Sequence, residues 1–195
     1  MDPYAQIEIP IIVQAAERRC LDLGFEKSCL ADTGRLLSIL TAGISHGLTL
    51  ELGTGGAYGT AWIASGLIHR DARLVTIDSN EQLADSARDF FSDWPNVSVL
   101  HGNWRTALGR GPFRLVFVDV SEAKTDGVDE IIAALERGGM VLLDDLTPVE
   151  QWPDEWRGKP DLVRDAWLDH PEVVSTEIRV AYDHAVILAT RVGAD

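Results

Sequence analysis

The sequence predicts an α/β protein with a Rossmann-like, open, mostly parallel sheet, helices on both faces and an antiparallel C-terminal strand pair. Three observations carry this. Short strands, apolar throughout, alternate with helical segments about five times, as in a parallel sheet covered on both sides. A glycine-rich turn, Gly53–Gly59, follows the first of these strands. Near the C-terminus two β-rich runs are joined only by Tyr182-Asp183-His184, which permits a hairpin and forbids a crossover.

The elements follow in order. Pro10 opens a helix whose spacing continues through IIVQAAERRCLDL and stops at Gly24. A second helix follows Asp32, with Leu36, Leu37, Ile39 and Leu40 as its apolar stripe. Leu48–Leu52 is the first strand, and AYGTAWIASGL is the helix after the glycine turn. Arg73–Asp78 is the second strand. Ser79, with Gln82 three residues on, then reads as a capping box. Val97–Leu100 is a strand, followed by a turn of helix near Trp104. Leu115–Asp119 is the fourth strand. A helix beginning at Asp126 is expected to end at Gly138-Gly139. Met140–Leu143 is the fifth strand and runs into Asp144-Asp145. A helix over Pro160–Asp169 precedes the terminal strands Ser175–Ala181 and Ala185–Thr190.

The 195 residues read as one domain. Residues 1–46 supply N-terminal helices, 47–145 cofactor-binding βα units, and 146–195 a substrate-side loop, a helix and the terminal hairpin. Seventeen Lys and Arg against 31 Asp and Glu leave a net charge of −14, which argues against nucleic acid and against anionic membranes as partners. Lys27, Lys124 and Lys159 are the three lysines, so a lysine Schiff base has few candidates. Cys20 and Cys29 read as reduced core residues. The opening MDPYAQIEIPIIVQ has no basic n-region, and no apolar run reaches ~20 residues, so a cytoplasmic protein is expected.

In open α/β sheets ligands bind beyond the carboxyl ends of the strands. Polar residues recur there: Glu51 and Gly53–Gly59, then Asp78, Gly102-Asn103, Asp119 and Asp144-Asp145. Any one alone is an ordinary strand-end or cap residue; five positions in register point to a site. The acid Asp78, 25 residues after Gly53, suits the ribose hydroxyls of an adenosine-containing cofactor. Two cofactor classes compete. A dinucleotide would place its pyrophosphate on the glycine turn, but Tyr58 stands where that motif's third glycine belongs. Glu51, inside the strand, suits a cationic or amino-acid-bearing ligand better.

ELGTGGAYGTAWIA resembles the first motif of class I S-adenosylmethionine-dependent methyltransferases, and most resembles the small O-methyltransferases of the catechol and caffeoyl-CoA type. ADTGRLLSILTAG resembles the helix before their first strand. LVTIDSN, FRLVFVDV and RGGMVLLDDL resemble their second, fourth and fifth strand motifs. The resemblance implies that Glu51, Gly53 and Gly55, with Thr54 and Tyr58 of the same turn, shape the pocket for the methionine part. It implies that Asp78, with Ser79, holds the ribose, that Gly102, Asn103 and Trp104 lie by the adenine, and that Asp119 sits near the methyl-donor end. The family often has glycine where Ala57 stands and serine where Gly59 stands. Its metal-dependent members hold a divalent ion with residues matching Asp119, Asp144 and Asp145, which makes Mg²⁺ a candidate cofactor and Asp119 and Asp144 candidate catalytic residues. The family's third ligand is asparagine, and its lysine three residues after the first ligand is Glu122 here, with Lys124 two further on.

The expected function is O-methylation of a small-molecule acceptor, with a second copy of the chain as candidate assembly partner. An NAD(P)-dependent oxidoreductase and a non-catalytic cofactor-binding module remain the alternatives. Trp152 and Trp156 either line an acceptor site or pack their loop onto the domain. His101 lies nearest the rim; His46, His69, His170 and His184 read as loop residues without partners.

Overall fold

The computed structural model describes residues 8–193, so the start of the segment read above as lacking a leader lies outside the described residues. Two helices, α1 (Ile11–Leu23) and α2 (Ala31–Ala42), precede a seven-stranded sheet. The sheet comprises β1 (His46–Leu52), β2 (Asp71–Asp78), β3 (Val97–His101), β4 (Phe113–Val118), β5 (Leu135–Leu146), β6 (Val173–Ala181) and β7 (His184–Arg191). Their order across the sheet is β3-β2-β1-β4-β5-β7-β6. β1 to β5 are parallel to one another, while β7 runs antiparallel between β5 and β6. The predicted fold class is therefore borne out, and the hairpin inserts its second strand inward.

Helices cover both faces, each over its own apolar cluster. α1, α2, α3 (Tyr58–Gly66) and α4 (Glu81–Phe90) bury Val13, Leu37, Ile63 and Ala84 against Leu74, Phe117 and Leu142. On the other face lie α5 (Arg105–Leu108), α6 (Ser121–Asp126), α7 (Val128–Ala133) and α8 (Leu162–Leu168). They bury Ala107, Ile131 and Trp167 against Leu50, Val116 and Val141. β1 therefore marks the switch point, because the chain leaves it for one neighbour, β2, and returns on its other side as β4. The carboxyl ends of β1 and β4 flank the crevice where such sheets take ligands.

Three local expectations are corrected. The cap of α4 is Asn80, whose side chain accepts a hydrogen bond from Leu83 N at 3.2 Å, and not Ser79. The helix expected from Asp126 to Gly138 is only the short α7, which stops at Ala133; a separate helix, α6, ends at Asp126 before it. Gly138-Gly139 does not end a helix but lies inside a bulge of β5, where pairing with β4 jumps from Phe113–Leu135 to Leu115–Met140. A side chain at Gly139 would meet the Phe113 carbonyl oxygen at 2.7 Å, and Gly138 supplies the left-handed backbone (φ +79°) with which the strand folds past its neighbour.

Candidate functional site

The site begins where β1 runs into the glycine turn. Gly53 (φ +100°), Gly55 (φ +49°) and Ala57 (φ +65°) all take left-handed backbone. This curls the turn so that its amides point at β2: Gly53 N donates to Ile77 O at 2.9 Å and Gly55 N donates to Asp78 Oδ2 at 2.7 Å. Asp78 Oδ1 accepts from Asn80 N at 2.8 Å. The carboxylate is thus fixed by two backbone donors, and each oxygen keeps a further lone pair for a ligand hydroxyl.

Glu51 forms the floor. It is buried, and its Oε2 accepts hydrogen bonds from Thr60 of α3 and, at 2.6 Å, from Thr76 of β2. Thr54 Oγ1 lies 2.6 Å from Thr76 Oγ1, which ties the turn into the same network. Burial pushes the Glu51 carboxyl up to about 8, against the two threonine bonds that pull it down. The resemblance leaves Gly59 unexplained, but the structure explains it: a Cβ there would lie 2.7 Å from Glu51 Oε1.

These residues surround a cavity of about 440 Å³ at the carboxyl ends of the strands. Its wall includes Glu51, Gly53, Thr54, Gly55, Tyr58 and Asp78, together with Ser79, Gly102, Asn103, Trp104 and Asp119. All eleven candidate cofactor residues therefore face one space. The sequence reading missed one wall. The loop between α1 and α2 brings Phe25, Lys27, Ser28 and Cys29 to the cavity, with the Phe25 ring lying over Gly55 and Gly56. No local pattern marks that loop; only its contact with the glycine turn, some thirty residues away in sequence, reveals it.

At the β4 and β5 ends the carboxylates gather. Asp144 is fully buried; its Oδ1 accepts from Thr33 Oγ1 at 3.2 Å and lies 3.0 Å from His184 Nε2. Its Oδ2 is buried without a hydrogen-bond partner among the described residues. Asp145, in left-handed backbone (φ +56°), has an oxygen 3.7 Å from His184 Nε2. Ligand atoms of Asp144, Asp145 and His184 lie within 4.8 Å of one another; Asp119, expected as a ligand, is not in that trio. Asp119 lines the cavity instead, and burial together with Asp144 and Asp145 raises its carboxyl to about 8. Lys124 is buried and donates to the Asp144 carbonyl oxygen at 2.7 Å.

The histidine reading is corrected here. His184 is not a partnerless loop residue: it opens β7, and the hairpin carries it back onto Asp144. Its imidazole pKa is raised, chiefly by the hydrogen bond to Asp144. His46 and His170 also have partners, with Arg114 Nη2 at 3.0 Å and Asp129 Oδ1 at 3.1 Å. Arg105 turns away from the aspartates to pair with Glu122 at 2.9 Å and to stack on Trp104 at 4.2 Å.

Beyond Asp145 lies a second cavity of about 320 Å³, lined by Trp152, Trp156, Pro160 and Leu162. The two indoles meet edge to face at 6.2 Å. Trp152 is held by its Nε1, which donates to Thr147 O at 3.1 Å. Asp145 belongs to the walls of both cavities, so the two meet at the carboxylate cluster.

Three comparisons bear on this arrangement. A family described as "Methyltransferase domain" matches residues 50–146. Catechol O-methyltransferase of Mycobacterium tuberculosis is 29% identical over 123 residues, 60% of this chain and 56% of that protein; the matched stretch spans little more than half the relative's length. Among solved structures, the O-methyltransferase TomG from Streptomyces achromogenes, involved in tomaymycin synthesis and bound to SAM, superposes with a TM-score of 0.79 at 22% identity, over 97% of this chain and 93% of that one. An O-methyltransferase from Bacillus cereus in complex with SAH gives 0.79 at 19% identity, over 96% and 94%.

Proposed function

We propose that the protein, whose residues 50–146 match a methyltransferase-domain family, transfers a methyl group from S-adenosylmethionine to an oxygen atom of a small molecule. The observation that carries this is the convergence of Asp78, the left-handed glycine turn, Glu51 and Trp104 around one cavity at the sheet's switch point. Asp78 takes the ribose hydroxyls. Glu51 and Asp119 line a wall suited to the positive charges of the ammonium and the sulfonium. Trp104, covered by Arg105, offers an indole beside the adenine. A pyrophosphate would meet the Glu51 carboxyl, which weighs against a dinucleotide.

Methyl transfer is an in-line displacement. The acceptor oxygen forms the new C–O bond, the S–C bond breaks, and its electron pair stays on sulfur as the thioether. Alignment of donor and acceptor supplies several kcal/mol of such a barrier. The Trp152–Trp156 cavity, which shares Asp145 with the first, offers aromatic faces suited to a planar acceptor. The acceptor's proton must leave, and Asp119, once ionised beside the cationic donor, is the lining carboxylate suited to take it.

The residues also fit a divalent cation. The unpartnered Asp144 Oδ2 and the convergence of Asp144, Asp145 and His184 are what such an ion requires. Asp144, Asp145 and His184 would hold it with Asp119 alongside, and a bound ion supplies acidification of the acceptor hydroxyl. The imidazole makes the donor set suitable for Mn²⁺ as well as Mg²⁺.

The same reading takes the chain as one catalytic unit with the three segments set out above, with a second copy as candidate partner. Free, buried Cys20 and Cys29 support a reducing, cytoplasmic setting, and the net charge of −14 supports a protein that leaves nucleic acid alone. Among the described residues no helix is long and apolar enough to cross a membrane. Calorimetry with S-adenosylmethionine, S-adenosylhomocysteine and NAD tests the cofactor, and turnover against a panel of phenols tests the transfer. Binding of NAD in preference to both sulfur ligands would overturn the reading.

A further inference from the structure

The cofactor cavity is electrostatically one-sided. Glu51, Asp78, Asp119, Glu122 and Asp145 contribute five carboxyl groups to its wall, and among the described lining residues Lys27 is the single cationic side chain. S-adenosylmethionine is not one-sided. It carries a sulfonium, an ammonium and a carboxylate, and the carboxylate would enter a space lined by the carboxyl groups of Asp78, Glu122 and Asp145 as well as those of Glu51 and Asp119. An anion in such surroundings requires a cation close by. We propose that Lys27 receives the α-carboxylate of the cofactor and so selects for a ligand with an intact amino-acid end; this rests on the S-adenosylmethionine reading above.

The placement of Lys27 supports the assignment. It lies in the loop between α1 and α2, and the residues on either side of it are anchored to the cavity. On one side, the Phe25 ring covers Gly55 and Gly56, such that a Cβ on Gly55 would come within 2.5 Å of it. On the other side, Cys29 is buried at the Glu51 end, with its sulfur 3.7 Å from where a Gly59 Cβ would stand. Lys27 itself is exposed and lines the same cavity as the glycine turn, the part assigned to the methionine moiety. It makes no ion pair or hydrogen bond with any described residue, so its ammonium is available to a ligand. The other two lysines cannot do this work. Lys124 is spent on the Asp144 carbonyl oxygen, and Lys159 lines the second cavity.

The pairing has a consequence for the loop. Without ligand, the loop is held over the turn by the apolar contact of Phe25. With ligand, a charge-assisted bond from Lys27 adds a second tie between the same loop and the bound methionine end. Affinity and the anchoring of the loop then depend on one carboxylate.

The test compares four ligands on wild-type protein, Lys27→Met and Lys27→Arg by calorimetry. S-adenosylmethionine and S-adenosylhomocysteine have the carboxylate; decarboxylated S-adenosylmethionine and 5′-methylthioadenosine lack it. Lys27→Met is expected to weaken the first two about tenfold and to leave the last two within about twofold. Lys27→Arg is expected to retain most of the affinity. Equal binding of S-adenosylhomocysteine by wild type and Lys27→Met would overturn the proposal. So would an equal loss for 5′-methylthioadenosine, which would make Lys27 a support of the loop. Wild-type protein that binds none of the four would sink the S-adenosylmethionine reading, and this inference with it.

Discussion

Ala57 is a buried alanine in left-handed backbone, a conformation that costs an L-residue with a Cβ about 1–2 kcal/mol. Relatives of this type often carry glycine there, and the positive φ is the physical reason. Ala57→Gly should raise the midpoint of thermal unfolding by about 2–4 °C, the shift expected of roughly 1 kcal/mol in a chain of this size. Asp78 presents a second single-residue test. Asp78→Ala removes the acceptor of Gly55 N as well as the proposed ribose contact, and should weaken S-adenosylmethionine binding by about 1–3 kcal/mol in calorimetry. Unchanged affinity would remove Asp78 from the site. For Gly55 the structure changes the argument. A side chain there strikes the Phe25 ring before it reaches any ligand, so Gly55→Val acts by displacing the loop that closes the cavity.

At the scale of elements, the segment from Thr147 to Pro160 and the β6–β7 hairpin both reach the site, and the Arg179–Glu150 ion pair at 2.6 Å joins them. If Trp152 and Trp156 line the acceptor space, alanine at both should raise the acceptor KM at least tenfold while S-adenosylmethionine affinity stays within about twofold, since neither touches the first cavity. An unchanged KM would leave the indoles as packing of the loop. What could be read in advance followed from range along the chain. The parallel strands were legible because each is a continuous apolar run, and the strand-end acids were legible because topology alone puts them on one rim. His184 was not, because its partner lies 40 residues upstream and meets it only when β7 enters the sheet beside β5. Phe25 and Lys27 escaped for the same reason. Gly138-Gly139 misled in the opposite way: a doublet that ordinarily ends a helix here serves a strand bulge, Gly138 by its φ of +79° and Gly139 by leaving room for the Phe113 backbone.

The whole molecule carries an unusual acid–base balance. Glu51 and Asp119 have carboxyls raised from 4.5 and 3.8 to about 8, and the His184 pKa is raised as well. In each case the folded state holds a proton that the unfolded chain gives up at lower pH. Stability from these groups is therefore fully present below the unfolded values and is lost as pH rises through the folded ones. The free protein should lose stability by roughly a few kcal/mol between pH 5 and pH 9, in thermal unfolding scans at fixed ionic strength. Glu51→Gln should flatten that slope while weakening S-adenosylmethionine. A flat profile for wild type would mean that these carboxyls ionise at ordinary values. A ligand or ion that supplies positive charge should offset the loss, so S-adenosylmethionine should protect more at pH 8.5 than at pH 6. By the same balance, excess EDTA should lower turnover at least tenfold, with recovery on adding Mn²⁺ or Mg²⁺. Full turnover in chelator would leave alignment alone as the source of catalysis.

The inward position of β7 bears on how the molecule is made. While a ribosome is still emitting the residues beyond Leu168, the first five strands can already pair, yet β5 then presents Val141, Leu142 and Leu143 along an open edge. An unpaired apolar edge is a template for association with other nascent chains. That hazard ends only when residues 184–191 arrive to pair with β5, and the same event delivers His184 to Asp144. Maturation of the carboxylate cluster and protection from aggregation are thus one late step, and a chain stalled before His184 should be insoluble as well as inactive.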